Sequence, residues 1–371
     1  MKKRMGRLGM VAIALLVAGR LPLQAQTTYY VNDNSTQGDV YTTMVGNDAN
    51  SGKSPSAPKL TLANVLTNVL VPGDKIYIDT GTYDPVTIPA TVNGVPGNRI
   101  VFQGSTNEAA GGSVFTGSGT VVTIRGNDLA FRDMRVVGGG RGLDLQNSAN
   151  GEYEGVKILG GIFNPAHIGG AGSTNNVFRR CVFTTVANLA IFNATGGSNN
   201  TMENCILYGP QASAIASAGS AITKISSSVI WADRVVTDWA NVPIAGDGNV
   251  LFGSSYTFGG VETLAGLQRV NTNWFGNTVA DPKFVNPDAQ DFHLLSAAGF
   301  MSNGVWVTNA AVGYSPAIDF GRRGDMAYTN EPMPNGGRLN VGLYGGTAVA
   351  SKSNPDPWLF AMSFNDGGNL I

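Results

Sequence analysis

Cysteine is almost missing from this chain: Cys181 and Cys205 are the only two in 371 residues. That is too few for a disulfide scaffold or a zinc cluster. Histidine is equally scarce, with His167 and His293 alone, which excludes sites built from several imidazoles. Charged residues make up only 13% of the chain, and no basic tract of the kind nucleic acid rewards is present. Beyond residue 25 no apolar run approaches the roughly 20 residues that a membrane span needs. Phosphate loops, nucleotide fingerprints and haem motifs are missing too. Gly169-Gly170-Ala171-Gly172 reads as a turn, because a dinucleotide fingerprint needs three spaced glycines after a strand.

The N-terminus has what the rest lacks. Lys2, Lys3, Arg4 and Arg7 precede an apolar run from Leu8 to Ala18, and Leu23-Gln24-Ala25 is a plausible cleavage site. The run is short and is broken by Gly19, Arg20 and Pro22, so cleavage is favoured over anchoring. Residues 1–25 are expected to be a signal peptide, and the mature protein to be secreted or displayed at the cell surface. The leader takes five of the 24 basic residues and no acidic one, leaving 19 basic against 25 acidic side chains. That balance argues against nucleic acid and anionic membrane as partners. Glycine is abundant at 50 residues, and 43% of the chain is hydrophobic, too much for disorder. Many turns and few helical patterns suit one long β-solenoid, which is expected to be monomeric.

Four segments align without gaps: Phe131-Arg132-Asp133-Met134-Arg135-Val136, Tyr153-Glu154-Gly155-Val156-Lys157-Ile158, Phe178-Arg179-Arg180-Cys181-Val182-Phe183 and Met202-Glu203-Asn204-Cys205-Ile206-Leu207. Ile225-Ser226-Ser227-Ser228-Val229-Ile230 continues the frame. A repeat of two dozen residues with strand-like runs and Gly/Asn turns marks a stacked β-coil, because one coil cannot bury its apolar face alone. Stacking predicts three columns. The first holds Phe131, Tyr153, Phe178, Met202 and Ile225; the second Met134, Val156, Cys181, Cys205 and Ser228; the third Val136, Ile158, Phe183, Leu207 and Ile230. Asn127, Asn176 and Asn200 lie upstream, where side-chain amides can form ladders. Arg132, Glu154, Arg179 and Glu203 alternate in sign from coil to coil, which in-register parallel pairing makes attractive at ~0.2–1 kcal/mol per exposed pair.

The flanks read as closures of this stack. Leu62, Val65, Leu66 and Val69 within Pro58–Leu70 follow a helical period, predicting a short helix over the open N-terminal end. Val261–Val270 predicts another short helix. Residues 26–348 are expected to form the solenoid with its cap and a closing segment, and 349–371 a linker or tail. The predicted class is all-β, a right-handed parallel β-helix with a short N-terminal capping helix.

These residues resemble the pectate-lyase-like superfamily of right-handed β-helices, in its exported bacterial surface-protein form. The opening Tyr30-Val31, Gly46-Asn47-Asp48-Ala49-Asn50-Ser51-Gly52, Pro55, Pro72-Gly73-Asp74-Lys75-Ile76-Tyr77-Ile78 and Gly81-Thr82-Tyr83 is similar to that group's first segment. Asp281-Pro282-Lys283-Phe284, Asp291-Phe292-His293-Leu294, Ser315-Pro316-Ala317-Ile318-Asp319 and Gly342-Leu343-Tyr344-Gly345-Gly346 are similar to its closing segment. The resemblance spans roughly residues 28–348 and implies polysaccharide lyases, glycoside hydrolases or adhesins as functional kin.

Two functions follow. The first is a secreted or surface-displayed β-helix with a structural or carbohydrate-binding role, for which Arg132, Glu154, Arg179 and Glu203 are candidate binding residues. Trp231, Trp239 and Trp274 are further surfaces for sugar rings, or core. The alternative is a lyase on a uronic-acid polymer, with Lys157, Arg179 and Arg180 as candidate catalytic residues. Such a lyase takes the C5 proton with a basic residue and neutralises the neighbouring carboxylate with Arg or Ca²⁺. Arg135, beside Lys157 in one column, would help lower the pKa of a Lys base. Glu154 and Glu203 stand two coils apart, loosely suited to glycoside hydrolysis, but Arg179 between them would hold both ionised. No metal site or cofactor is identified; Asp48-Ala49-Asn50-Ser51-Gly52 starts like a calcium loop and lacks its later carboxylates. A Ser-His-Asp site would need one histidine oriented by a carboxylate; His167 is expected in a Gly-rich loop and His293 in a strand.

Overall fold

A computed structural model describes residues 25–186, 190–217, 221–235, 237–238, 245–254 and 274–355. The leader, the 261–270 helix, Trp239, the side chain of Trp274 and the strand expected after Phe360 lie outside the described residues.

The chain is all-β, and nearly every strand pairs in parallel with the strands one coil before and one coil after it. Ten strands make the first ladder, from Thr28–Val31 through Lys75–Ile78, Ile100–Gly104 and Leu129–Arg132 to Trp274–Phe275. A second ladder starts at Gly81–Tyr83 and a third at Val86–Ile88; the long strand Ile206–Ser217 runs through both and joins them into one 15-stranded sheet. Each coil therefore presents three faces around a common core.

Register follows the repeat. Tyr29, Ile76, Phe102, Phe131, Tyr153, Phe178, Met202 and Ile225 are successive partners down the first ladder. All are buried. The rings stack face to face, with centroids 4.7 Å apart for Phe102 and Phe131, 5.5 Å for Phe131 and Tyr153, and 4.7 Å for Tyr153 and Phe178. These separations match one step between parallel strands, so the backbone ladder and the aromatic stack share a single spacing. Val136, Ile158, Phe183, Leu207 and Ile230 form the third column in the same manner. Met134, Val156, Cys181, Cys205 and Ser228 are all buried between these two. The two cysteines are free thiols, and burial pushes that of Cys181 well up, so this column is packing material.

From Leu129 onward six successive coils bend sharply between the first and second faces, and the bend falls on one residue with positive φ: Asp133 (52°), Gly155 (65°), Arg180 (48°), Asn204 (53°), Ser227 (49°) and Gly248 (66°). Asp and Asn visit this region more readily than most residues, and Gly without cost. At Gly155 a Cβ would lie 2.6 Å from Asp133 Oδ1, so this corner has no room for a side chain. Amide ladders hold the opposite corner. Buried Asn176 donates to Asn200 Oδ1 at 2.9 Å, while outside them Asn199 donates to Asn175 and Asn175 to Asn150. Asn127 instead accepts from the backbone N–H of Ala149.

The capping helix is shorter than its apolar period suggests, spanning Leu62–Val65. Thr67 Oγ1 and Asn68 Nδ2 donate to the carbonyls of Asn64 and Val65, competing with helical pairing just where it stops. Leu62, Val65 and Leu70 still enter the core. Asp48 fixes the helix start: its carboxylate accepts from Leu60 N, Thr61 N and Thr61 Oγ1. The residue that opens a calcium-like loop in the sequence is thus engaged in a backbone turn.

Residues from Phe284 onward fold back over the outside of the second ladder. Phe284, Phe292, Leu294, Ala317, Ile318, Val341 and Leu343 pack there on Leu159, Val182, Ile206, Val229 and Val250. Trp231 lies under this cover, stacked on Phe284 and edge-on to Tyr208 and Phe252, not on an open sugar-binding face. Ser351 and Ser353 are buried, donating to Leu294 O and to Asp319.

The aromatic stack should carry much of the stability. Phe131→Ala removes a ring sandwiched between two others and is expected to cost ~3–5 kcal/mol, read as a lowered denaturant midpoint with unchanged slope.

Candidate functional site

The fifth position of the repeat points outward on the second ladder. Down the stack it reads Arg135, Lys157, Val182, Ile206, Val229 and Val250, each the register partner of the next. The apolar members lie beneath the closing segment; the two basic ones stand where that cover ends. There a cavity of about 340 Å³ opens between the ladder and the closing segment. Arg135, Lys157 and Glu108 form one wall, and Asp291, His293 and Tyr344 the other.

The lining groups are already paired in part. Lys157 Nζ donates to both carboxylate oxygens of Glu108 at 2.7 Å. His293 Nδ1 is 2.6 Å from Asp291 Oδ1, and its ring stacks on Tyr344 with centroids 3.6 Å apart. Since a carboxylate only accepts, Nδ1 carries a proton, and in the neutral ring Nε2 is the acceptor. Burial, with Glu108 and Asp291 nearby, pushes the Tyr344 phenol far up, so it stays a neutral donor. Arg135 Nε is buried and has no hydrogen-bond partner. That donor, beside the Lys157 ammonium, fits a carboxylate or another anionic oxygen. Among the described residues no three Asp, Glu, His or Cys side chains converge on a metal position. Glu108 and Asp291 are engaged by Lys157 and His293.

The expected ion ladder lies on the first ladder, in register: Arg132 pairs with Glu154, Glu154 with Arg179, and Arg179 with Glu203. Arg179 Nε donates to Glu203 at 2.9 Å. Glu154 turns instead to Arg180, the left-handed corner residue. Arg132 Nε has no hydrogen-bond partner. Arg179 and Arg180 do not line the cavity, so of the three candidate catalytic residues only Lys157 reaches it. His167 is on the strand Asn164–Gly169 and not in a loop, because parallel pairing on both sides extends the backbone between its flanking glycines. His293 is in a strand, as expected. Sequence reasoning missed the outward turn to Val182, Ile206 and Val229, which signalled a cover, and missed Glu108, Asp291 and Tyr344 as neighbours of Lys157.

One buried carboxyl anchors the closing segment. Glu331 Oε1 accepts from Asn340 N and Gly346 N, while Oε2 has no partner. Burial raises its pKa from the usual 4.5 to about 7. A carboxyl whose folded pKa is raised stabilises fully below 4.5, and that contribution is lost as pH rises towards about 7. Thermal melts across this range should fall with rising pH, and Glu331→Gln should flatten that dependence.

No protein-family model and no curated protein matches this sequence. Among solved structures, a mannuronic-acid-specific family 6 polysaccharide lyase from the human gut microbiota aligns at 14% identity and a TM-score of 0.37, over 51% of each chain. This chain thus spans about half the length of that enzyme. Pectate lyase Pel9A aligns at 12% identity and 0.46, over 86% of this chain and 96% of that one. An alginate lyase from Paenibacillus sp. strain FPU-7 gives 13% and 0.30, over 52% and 84%. The strand ladders themselves make the architecture a parallel β-helix.

Proposed function

We propose that this protein is an exported β-helix that binds an acidic polysaccharide, with the cavity between the second ladder and the closing segment as its contact point. The observation that carries this reading is the buried, partnerless Nε of Arg135 next to Lys157. A uronate carboxylate would complete that donor set, and Glu108, Asp291 and the Tyr344 hydroxyl offer partners for sugar hydroxyls. The ion ladder of Arg132, Glu154, Arg179 and Glu203 supplies a second, weaker surface, since its exposed pairs compete with water. Export to the cell exterior, where such polymers occur, agrees with the basic and apolar leader.

A second reading is eliminative cleavage of the same polymer. His293 favours it, because Asp291 holds the tautomer whose Nε2 can take a proton. Lys157 is the worse placed base, since its ammonium already donates to both carboxylate oxygens of Glu108.

Calorimetric titration with polygalacturonate, alginate and a neutral glucan tests the first reading. The acidic polymers should bind and the neutral one should not. Arg135→Ala or Lys157→Ala should each weaken binding about 10- to 100-fold, as expected for a charge-assisted bond. Equal binding of all three polymers would remove it. The second reading predicts ultraviolet absorbance from unsaturated uronate ends, abolished in His293→Ala; a flat trace on both acidic polymers discards it.

A further inference from the structure

His167 has no part in the cavity, yet its surroundings are as ordered as those of His293. On the third ladder it pairs in register with Asp144 on the preceding coil and Asn193 on the following one. His167 Nδ1 lies 2.7 Å from Asp144 Oδ1, and His167 Nε2 lies 2.9 Å from Thr195 Oγ1. Asp144 and His167 are buried, whereas Thr195 is exposed. Because the carboxylate can only accept, Nδ1 holds a proton; in the neutral ring Nε2 then accepts from the Thr195 hydroxyl, whose other acceptor is the Ile168 carbonyl at 3.5 Å. Gln146 Nε2 donates to the other Asp144 oxygen at 2.8 Å. Burial opposes ionisation of Asp144, but the bonds from His167 and Gln146 and the charge of Arg141 outweigh it and hold the carboxyl below its usual range. An acid, an imidazole and an exposed hydroxyl thus stand in line, each on its own coil.

We propose that Asp144, His167 and Thr195 form a second, nucleophilic site that hydrolyses short-chain carboxylic esters. Thr195 Oγ bonds to the ester carbonyl carbon while its proton passes to His167 Nε2. Collapse breaks the carbon–oxygen bond to the alcohol, which leaves with that proton. Water then attacks the acyl-threonine, again giving its proton to His167. The carboxylic acid departs and the Thr195 hydroxyl is restored. Asp144 is a positioning residue: it fixes the tautomer and balances the transient imidazolium. An exposed hydroxyl at the end of a buried acid–imidazole pair suits a small acyl group carried on an extended chain. Arg141 Nη1, 3.6 Å from Asp144 Oδ2 and 3.4 Å from His167 Nδ1, and Arg125, whose Nε donates to Gln146 Oε1 at 2.9 Å, make the border cationic. That border favours an O-acylated anionic polymer over a neutral one.

The test needs no variant at its first step. The whole protein is treated with diisopropyl fluorophosphate and mapped by tandem mass spectrometry, and the adduct should sit on Thr195. Acetate release from acetylated polygalacturonate and from acetylated neutral glucan is then compared, and the acidic polymer should be the faster substrate. Thr195→Val and His167→Gln should lower the rate at least about a hundredfold, the lower end of what a general base contributes. Thr195→Ser should keep both labelling and turnover, which a purely structural hydroxyl would not require. Labelling elsewhere with Thr195 unmodified would overturn the proposal, as would undiminished release by Thr195→Val. So would release that Thr195→Ser fails to sustain while its melting temperature stays that of the wild type.

Discussion

Parallel in-register stacking is the constraint on which everything else rests. A strand in one coil meets the same strand of the next at roughly 4.8 Å, so whatever one coil places at a position, its neighbours must tolerate there. Apolar positions become continuous columns, as from Tyr29 to Ile225. Polar positions become ladders, as at Asn176 and Asn200. The same rule fixes the corners. In the six coils from Leu129 onward the tight bend onto the second face takes one left-handed residue per coil, and Asp133, Gly155, Arg180, Asn204, Ser227 and Gly248 supply it. At this position Arg180 and Ser227 are the costly choices, since neither type adopts positive φ readily.

The same stacking generates chemistry. Side chains two dozen residues apart in sequence are brought within bonding distance without any loop having to find its partner. Arg135 meets Lys157 in this way, and Asp144 meets His167. A rigid ladder positions such groups more precisely than a mobile loop would. What distinguishes the two sites is their covering: the first is roofed by the closing segment, and in the second Asp144 and His167 are buried while Thr195 is exposed.

Much of the scaffold was legible because the inward columns repeat with a nearly constant period. Phe131, Tyr153, Phe178, Met202 and Ile225 stack in that frame. The sites were less legible, for two physical reasons. The connection between the second and third ladders varies in length and sequence, so Asp144 and His167 fall in no visible repeat. The cavity joins the solenoid to a segment that shares none of its periodicity. Nothing local in Asp291 or Tyr344 points to Lys157. The one usable signal was the change at the outward fifth position from Arg135 and Lys157 to Val182, Ile206 and Val229. Three coils in a row would not expose large aliphatic groups to water unless something lay over them. The charge alternation was real in register but only partly realised as ion pairs, because Arg180 at the corner competes for Glu154. Exposed charges choose partners by small energy differences that sequence does not encode.

Because one wall of the cavity comes from residues 108–182 and the other from 289–344, occupancy and docking of the two parts are thermodynamically linked. Any guest gripping both walls adds its own binding free energy to the adhesion of the outer layer, by mass action. The seam between solenoid and cover is therefore also where a bound sugar would act as a structural component, adding to the apolar packing and to the bonds from Tyr208 to Asp288 and from Arg135 to Gln290 that already cross it.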